Sequence, residues 1–443
     1  MPAWTSNANE ATRLRLVGAP APQDAVFYPE FTYPIFGEAE TIFGYEGLHI
    51  NLDFCSGSLM PSLGVSYSAK NSKTSAKIDD PEETLRAFLP DTLARHDTLV
   101  SLAEKEAQGG AFSPHGTNIA EYSVKGKERA SRGVFGARAR TSDAARNFVV
   151  HHATWDTPGF RAWHERAQIF TLFYIEGASY IDDQDPNWEF YTIFERTRGE
   201  NADAYHFVGY TSTYRFWSWQ DKTRLRISQF LILPPYQKQG HGTQLYDTVF
   251  ARALDDARVC EVTVEDPSES FDLLRDKCDL RRIANAPMIT TARKDNQLHA
   301  PLAHTWSEEA RAQAKMAPRQ WSRILEMLLL VHLDADNEES MRAYRLQIKA
   351  RIFRVNREAL LQLPRAQRQA KLQETFEAVV DEYSEITGAP LPDMLLEAPP
   401  IVERDELHIP GLAKRAASAV ILLGDGEEEE EEEEYAHKAR RLG

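Results

Sequence analysis

The sequence predicts an α+β fold in which a β-rich N-terminal domain precedes a core of strands and helices and a C-terminal helical domain. Three observations lead to this prediction. Runs of aromatic and β-branched residues broken by glycine or polar turns recur at 27–70 and 190–233. An apolar strand then passes through two glycines into an amphipathic helix. After residue 285, long segments place apolar residues at helical spacing.

The size and charge of the chain limit the classes of protein it can be. Its 443 residues, 42% of them hydrophobic, are enough for two or three domains. The net charge is −16, of which Asp425 and the eight glutamates Glu427–Glu434 supply −9 and leave −7 for the rest. An acidic body argues against direct binding of nucleic acid. It favours a basic partner or substrate, because opposite charge speeds encounter.

Membrane and redox features also narrow the possibilities. The longest apolar run, Ile324 to Leu333, is shorter than the roughly 18 residues of a membrane span, and the chain does not open with a signal-peptide pattern. The only cysteines are Cys55, Cys260 and Cys278, and none forms a C-x-x-C pair. We therefore expect a soluble intracellular protein with reduced thiols and no membrane association.

The N-terminal domain is assigned to residues 1–135. Segments such as "HINLDFCSGSLMPSLGVSYSA" between Phe27 and Lys70 are typical of β-structure. Residues 72–85 are polar and predict a loop, and "ETLRAFLP" predicts a short helix. From Gly133 to Trp155 the pattern favours neither helix nor strand.

The core domain is assigned to residues 136–285. Residues 160–179, "FRAWHERAQIFTLFYIEGAS", predict a long, largely buried helix. Further segments follow in the order strand, strand, strand, helix, strand, helix: "FYTIFERT", "YHFVGYTSTYRFWSW", "RLRISQFLIL", "GTQLYDTVFARALDD", "CEVTVED" and "PSESFDLLRDKC". We expect a hairpin turn at 198–203 and a proline in the first turn of the last helix.

The C-terminal helical domain is assigned to residues 286–388. It contains three helical segments, of which the second begins after Asn337, a plausible N-terminal cap. From residue 389 to 443 the chain contains five prolines and the acidic run, a composition typical of disorder.

The stretch "FLILPPYQKQGHGTQLYDTV", residues 230–249, indicates a ligand site. A glycine-rich turn between a strand and a helix exposes backbone N–H groups at the positive end of the helix dipole, which suits a phosphate or pyrophosphate. The alternative is a tight turn that binds nothing. The P-loop and the dinucleotide fingerprint both fail, because no lysine follows Gly242 and position 245 is Leu245.

What remains is Q-x-x-G-x-G after an aliphatic strand, which resembles the acetyl-CoA loop of the GNAT acetyltransferase superfamily. Together, "RISQFLILPPYQKQGHGTQLYDTV" and "VTVEDPSESFDLLRD" resemble the catalytic subunit of the type B histone acetyltransferases. "FGEAETIFGYEGLHI", "IEGASYID", "YTSTYRFWSWQDKTR" and "MRAYRLQIKARI" agree with this family, so the resemblance covers about residues 11–387.

The resemblance implies a GNAT mixed-sheet core that transfers acetyl from acetyl-CoA to lysines in the N-terminal tail of newly made histone H4. It implies Glu265 as general base, Asp266 as an adjacent acid that attracts the lysine, and Glu176 as a second candidate for the base. It also implies cofactor contacts along the strand, through the loop and near the next helix: Phe230, Leu231, Ile232, Gln237, Lys238, Gln239, Gly240, His241, Gly242, Thr243 and Ser268. Pro234 and Pro235 suit the parting of strands that admits the thioester.

For the histone tail, the resemblance implies acidic contacts from Glu38 and Glu40 on either side of Ala39. It also implies a groove lined by Tyr214, Arg215 and Phe216, where an arginine is an unexpected charge beside a basic peptide. The implied partners are histone H4 together with H3, and a WD-repeat histone-binding subunit. The implied location is cytoplasm and nucleus.

Other kinds of site are not favoured. His164-Glu165 does not extend to H-E-x-x-H, and His151-His152 has no second ligand pair, so no metal is expected. Cys260 and Cys278 are expected to be buried core thiols. Two alternative functions stay open: a weakly catalytic or non-catalytic protein that escorts histones H3–H4, and a GNAT enzyme that acts on a small amine.

Overall fold

A computed structural model describes residues 4–20, 26–72, 75–124 and 145–396. The acidic run and most of the proline-rich C-terminal segment lie outside these residues. The described strands are β1 (Thr5–Asn7), β2 (Thr12–Val17), β3 (Val26–Phe27), β4 (Thr41–Phe43), β5 (Tyr45–Glu46), β6 (His49–Cys55), β7 (Pro61–Ser66), β8 (Ala69–Lys70), β9 (Thr117–Val124), β10 (Arg146–Thr154), β11 (Trp188–Arg198), β12 (Asp203–Ser218), β13 (Lys222–Ile232) and β14 (Val259–Val264).

The same described residues also contain fifteen helices. They are α1 (Ala8–Ala11), α2 (Tyr33–Phe36), α3 (Pro81–Arg86), α4 (His96–Ala107), α5 (Phe160–Ala167), α6 (Ile169–Tyr174), α7 (His241–Asp255), α8 (Glu269–Ala284), α9 (Pro287–Lys294), α10 (His304–Ala314), α11 (Pro318–Val331), α12 (Glu338–Val355), α13 (Arg357–Leu361), α14 (Arg365–Thr387) and α15 (Asp393–Leu396).

A six-stranded sheet forms the centre of the first part of the chain. Its strand order is β14-β13-β12-β11-β10-β9, antiparallel throughout except for the parallel pair β13–β14. The four predicted strands of this region, at β11 to β14, are confirmed. The sheet also includes β9, which precedes residue 136, so it begins before the predicted core domain.

The first helix of this region is shorter than the sequence predicts. Helices α5 and α6 together end at Tyr174, and residues 175–180 form an irregular segment. Ile175 is extended and Gly177 has a φ of +70°, so neither can continue the helix. The buried face of α5 packs on the sheet, where the ring centroid of Trp163 lies 5.2 Å from that of Phe207.

A second sheet occupies the N-terminal region, with strand order β3-β2-β6-β7. Its inner face is apolar: Leu14, Ile50 and Phe54 are all fully buried. The β-rich character expected of this region is therefore confirmed. Helix α4, which the sequence did not predict, packs on the opposite face of this sheet, where Leu99 and Ala103 contact Cys55.

The chain divides into two compact units. The first runs to Arg282 and takes in Ala312–Trp321, whereas the second consists of Ile283–Arg311 and the chain from Ser322 onward. Residues 312–321 therefore do not belong to a separate helical domain. The Lys315 ammonium donates to the carbonyls of Ala253, Leu254 and Asp256 at distances of 2.8 to 3.0 Å, which caps the end of α7.

The second unit has a buried polar centre. The carboxylate of Glu326 accepts two hydrogen bonds of 2.7 Å from Arg351 and one of 2.8 Å from the Tyr383 hydroxyl. The predicted cap is confirmed, since Asn337 accepts from the Ser340 N–H at 3.0 Å.

Residues 389–396 were expected to be part of a disordered tail. They instead include α15, whose Leu395 is fully buried. No helix of the described chain combines the length and apolar content of a membrane-spanning segment.

Candidate active site

The strand-to-helix junction joins β13 to α7. Strand β13 ends at Ile232, a short 3₁₀ turn covers Pro234–Tyr236, and α7 begins at His241. Gly240 is the residue before the helix and has a φ of +92°, a conformation that a side chain would strain. Gly240 therefore has the backbone conformation that requires glycine, as predicted for this turn.

The start of α7 offers unpaired donors. The backbone N–H groups of His241, Gly242 and Thr243 have no acceptor among the residues that the structure describes. They belong to the first turn of a 15-residue helix, where amide groups and the helix dipole favour an anion. This arrangement suits the pyrophosphate of acetyl-CoA.

Gly242 serves a different purpose from Gly240. A Cβ atom there would lie 2.7 Å from Leu274 Cδ1 of α8 and 3.7 Å from the ring of Phe230. The absence of a side chain therefore lets α7 lie close to β13 and α8. The sequence assigned both glycines to phosphate approach; at Gly242 a side chain would in addition have to displace the end of the Leu274 side chain.

The side chain of His241 points away from solvent, and Thr243 is partly buried. His241 is 1% exposed and its Nδ1 lies 2.8 Å from the Tyr122 hydroxyl. Burial, together with the charge of Arg146, lowers the pKa of His241 to about 4, so its ring is neutral. Thr243 hydrogen-bonds the thiol of Cys278, whose pKa burial raises to about 11. His241 therefore offers a ligand its backbone and not its side chain. Cys278 is a core thiol as predicted, whereas Cys260 is only partly buried.

Strand β13 contains a bulge between its two pairing regions. Thr213 of β12 pairs with Ile227 and Thr211 with Phe230, so Ser212 faces both Ser228 and Gln229. Strand β14 pairs with β13 only as far as Ile227. The two strands part at the bulge, before Pro234 and Pro235, to which the sequence attributed the opening.

Beyond the bulge, one edge of β13 is open. The N–H groups of Gln229 and Leu233 point toward β12, where they donate to Ser212 Oγ and Val208 O. Backbone alternation turns Phe230 and Ile232 to the other side, where no described strand lies. Leu231 faces β12, so of the three predicted backbone partners only Phe230 and Ile232 face the open edge, where the Ile232 carbonyl accepts a hydrogen bond of 2.9 Å from Gln237 Nε2.

Glu265 directly follows β14, and its N–H donates to Ile227 O at 2.9 Å. Its Oε2 accepts a hydrogen bond of 2.5 Å from the Ser228 hydroxyl, and its Oε1 lies 3.7 Å from Arg226 Nη1. The side chain is 40% exposed. A carboxylate is thus fixed where β13 and β14 part, beside the open edge of β13.

The predicted peptide-contacting residues lie on both faces of the sheet. Tyr214 pairs directly with Arg226, and the Arg226 guanidinium lies 4.3 Å from the centroid of the Phe216 ring. Tyr214 and Phe216 therefore share the sheet face of Arg226 and Glu265.

Arg215 lies on the opposite face, because successive side chains of a strand alternate. It pairs with Glu189 at 2.5 Å and with Asp256 at 3.0 Å. Burial alone would raise the pKa of Glu189, but the hydrogen bonds from His152 and Arg215 lower it to about 2. Arg215 therefore does not share the sheet face of Tyr214 and Phe216 as the sequence predicted, and its charge is neutralised within the protein.

Glu176 is exposed in the segment that follows α6. Two contacts hold this segment: the Gly177 N–H donates to the Tyr33 hydroxyl at 2.6 Å, and Ser179 O accepts from Gln229 Nε2 at 2.9 Å. Gln229 is the neighbour of Ser228 in the bulge. The structure thus connects the loop of Glu176 to β13, whose Ser228 hydrogen-bonds Glu265.

The two acids beside Ala39 differ in their surroundings. Glu38 and Ala39 are exposed. The Glu40 carboxylate instead accepts from the N–H groups of Thr32 and Tyr33, at 2.6 and 3.1 Å, and from Asn9 at 2.9 Å. Glu40 therefore holds the start of α2, and of these two acids only Glu38 has a carboxylate without a hydrogen-bond partner among the described residues.

The remaining predicted positions lie between β14 and α8. Asp266 is exposed and has a φ of +32°. The Ser268 hydroxyl accepts from the Phe271 N–H at 3.3 Å and so caps α8. Helix α8 begins at Glu269, so the predicted proline lies outside its first turn.

The sequence did not indicate one group that holds the glycine loop. Arg146 Nη1 donates to Gln239 Oε1 at 3.0 Å, while Gln239 Nε2 donates to Pro235 O at 2.9 Å. Arg146 itself binds the carboxylate of Glu195, which is 2% exposed. No local sequence pattern connects residues so far apart in the chain.

Comparison with known families matches most of the described chain. Residues 4–176 match the family described as histone acetyl transferase HAT1 N-terminus. Residues 154–270 match the acetyltransferase (GNAT) family, and residues 276–334 match the family described as fungal HAT1, C-terminal. The GNAT match includes β11 to β14 and α7, so the predicted α+β acetyltransferase core is confirmed.

Three relatives named histone acetyltransferase type B catalytic subunit are similar over most of their length. The protein of Mycosarcoma maydis is 48% identical over 412 residues, which cover 89% of this chain and 91% of that protein. That of Cryptococcus neoformans is 40% identical, covering 87% and 97%. That of Rattus norvegicus is 34% identical, covering 79% and 80%.

Proposed function

The chain belongs to the family of type B histone acetyltransferase catalytic subunits, and on this basis we propose that it acetylates lysines in the N-terminal tail of newly made histone H4, with Glu265 as general base. The acetyltransferase activity follows from the family. The choice of H4 and the role of Glu265 are the proposal.

The observation that carries the proposal is the position of Glu265. Its carboxylate lies where β14 parts from β13, next to the open backbone edge of Phe230 and Ile232. Tyr214 and Phe216 share its sheet face. A thioester along the open edge and a lysine entering over the two rings would meet beside Glu265.

The chemistry requires a base at this position. A lysine side chain has a reference pKa of roughly 10.4 and arrives protonated, so it must lose a proton before its nitrogen can attack. Glu265 takes that proton, directly or through a water molecule. The nitrogen then bonds to the thioester carbonyl carbon, the carbon–sulfur bond breaks, and coenzyme A leaves.

The residues present fit acetyl-CoA as the second substrate. The amides of His241, Gly242 and Thr243 would bind the pyrophosphate, and Phe230 and Ile232 would hydrogen-bond the pantetheine arm. Gln239, held by Arg146, keeps the loop in position. Ser268 caps α8 close to the base and is proposed as a further contact.

A basic histone tail suits the charge around the site. Glu38, Glu176 and Asp266 are exposed, and the chain carries a net charge of −16. Such a field attracts a cationic peptide over a distance set by the salt concentration. We propose the H3–H4 pair as the form in which H4 arrives.

A protein partner is proposed for the turn between β12 and β13. Trp217, near the end of β12, and Trp219, in the turn, are 62% and 77% exposed, and tryptophan is enriched among the residues that contribute most to protein interfaces. A WD-repeat histone-binding subunit is the partner that the family resemblance implies. Cytoplasm and nucleus, where new histones are handled, are the proposed locations.

The test is acetyl transfer from acetyl-CoA to an H4 tail peptide, with mass spectrometry of the product. We expect acetylated lysine in the H4 peptide and little in a peptide whose lysines are replaced by arginine. Binding of H3–H4 without any turnover would favour the histone escort. Turnover of spermidine in preference to the peptide would favour a small-amine enzyme.

A further inference from the structure

We propose that Ser228 is a positioning residue for the base: its hydroxyl holds one oxygen of Glu265 so that the other remains directed at the incoming lysine. This inference depends on the proposed role of Glu265 and adds to it. No feature of the sequence singled out Ser228.

The first observation is the unequal environment of the two carboxylate oxygens. Oε2 accepts the Ser228 hydroxyl at 2.5 Å, whereas Oε1 lies 3.7 Å from Arg226, beyond hydrogen-bond distance. Among the described residues, Ser228 is the only side chain that hydrogen-bonds the Glu265 carboxylate. Oε1 has only this longer ion pair with Arg226 and no hydrogen bond among the described residues, so it is the oxygen to which we assign proton acceptance.

The second observation is that the bulge fixes Ser228 itself. Gln229, 7% exposed, donates its N–H to Ser212 Oγ at 3.1 Å and accepts from the Tyr210 hydroxyl at 2.8 Å. Its side-chain amide also donates to Ser179 O at 2.9 Å. These three hydrogen bonds, to Ser212, Tyr210 and Ser179, fix the position of Gln229 in the bulge. The backbone of the adjacent Ser228 is therefore restricted as well.

The third observation is the exposure of the base. At 40% exposure, Glu265 is not packed into one rotamer by its neighbours. Catalytic groups work best when a second group restricts their geometry. The hydrogen bond from a fixed strand position to an exposed carboxylate supplies that restriction.

The experiment compares Ser228→Ala, Ser228→Cys and Ser228→Thr in the full chain, with an H4 tail peptide and acetyl-CoA. A hydrogen bond to a charged group corresponds to about 10- to 100-fold in rate, so kcat should fall by this factor in Ser228→Ala. Ser228→Cys, which keeps the size but is a weak donor, should lose nearly as much. Ser228→Thr keeps the hydroxyl and should stay within a few-fold of the parent. The KM for acetyl-CoA should not change in any of them.

A double variant separates positioning from a general structural effect. If Ser228 acts through Glu265, Ser228→Ala should have no further effect on kcat in a Glu265→Gln background. An equal loss in both backgrounds, an unchanged kcat in Ser228→Ala, or failure of Ser228→Thr to retain activity would each overturn the proposal. Thermal melts identify a variant that fails to fold, and Ser228→Cys then provides the test.

The same experiment distinguishes the two levels of inference. Full activity in Glu265→Gln would overturn the proposed base and the role of Ser228 with it. A large loss in Glu265→Gln with none in Ser228→Ala would overturn only the role of Ser228.

Discussion

The guanidinium of Arg146 binds the buried carboxylate of Glu195 through two parallel hydrogen bonds, Nε to Oε1 at 2.7 Å and Nη2 to Oε2 at 2.6 Å. Its remaining nitrogen reaches Gln239 in the glycine loop. A pair within the sheet therefore fixes the loop that we propose binds acetyl-CoA.

Gln239→Ala should weaken acetyl-CoA binding by about 3- to 10-fold, because the loop loses its contacts with Arg146 and Pro235. The kcat should be unchanged, since the base is not touched. Titration calorimetry with acetyl-CoA and steady-state rates measure the two effects. Gln244→Ala, an exposed residue of α7, is the matched control and should change neither. An unchanged affinity in Gln239→Ala would show that Arg146 and Glu195 serve stability alone.

Glu265→Gln should lower kcat by about 10²- to 10⁴-fold, because the amide cannot accept the lysine proton. Acetyl-CoA affinity should barely change. Higher pH should restore part of the rate, since more of the lysine then arrives neutral.

Two further variants test that assignment. Glu261 lies on β14, four residues before Glu265, and is paired with Arg224 at 3.2 Å; Glu261→Gln should stay within a few-fold of the parent. If Glu176→Gln lost activity while Glu265→Gln kept it, Glu176 would be the base.

Gly240→Ala should reduce acetyl-CoA affinity and cost about 1–2 kcal/mol of stability, because its φ of +92° disfavours any side chain. Gly388 offers a matched control: it has a φ of +73° and equally open space, so Gly388→Ala should carry the strain without the loss of affinity. Calorimetry and thermal melts measure both quantities. Equal acetyl-CoA affinity in the two variants would argue against a phosphate site at Gly240.

Stability should fall as the pH drops below about 6.5, because buried histidines stay neutral in the folded chain while they become protonated in the unfolded chain. Burial lowers the pKa of His164 to about 3, and that of His206 to about 4. Each histidine therefore leaves the unfolding free energy unaffected above about pH 6.5. Below that pH, and down to its pKa in the folded chain, each lowers the unfolding free energy by roughly 1.4 kcal/mol per pH unit. Between pH 6.5 and pH 5, the unfolding free energy of His164→Leu should fall by roughly 2 kcal/mol less than that of the parent, so its melting temperature should depend less on pH.

The exposed His299 provides the control for that measurement. His299→Leu should leave the pH dependence as it is in the parent. A slope equally steep in His164→Leu would mean that His164 is not buried as the structure has it.

Truncation after Leu396 should leave turnover of a short H4 peptide unchanged, because every residue assigned to the site precedes Leu396. It should slow capture of whole histones at low salt, where Glu427–Glu434 would act over the longest range. Truncation after Gly388 should in addition lower the melting temperature, since it removes the buried Leu395. Loss of peptide turnover on truncation after Leu396 would contradict this division.

Local patterns predicted much of the core. Strands β11 to β14 and helix α7 follow from alternating or helical apolar spacing, and Gly240 from the backbone that the turn requires. The position of Glu265 followed from the family resemblance together with the order of strands.

Long-range contacts account for what the sequence did not predict. The bulge depends on Gln229 meeting Ser212, and Glu40 became a helix anchor only because Thr32, Tyr33 and Asn9 surround it. Arg215 was predicted to share a surface with Tyr214 and Phe216 because the three residues are consecutive in the motif. In a strand, the side chains of consecutive residues point to opposite faces of the sheet. The acids that pair with Arg215, Glu189 and Asp256, are too far away in the sequence to be predicted from spacing.

The alternation at Tyr214, Arg215 and Phe216 restricts how this segment can evolve. Loss or gain of a single residue inside β12 would exchange the two faces, placing the guanidinium among the aromatic rings and a ring among the acids. Changes in chain length are therefore compatible with the site only where the hairpin turns, around Trp219 to Asp221, or in compensating pairs. Which residues of β12 face each side of the sheet is as important for the site as the identity of those residues.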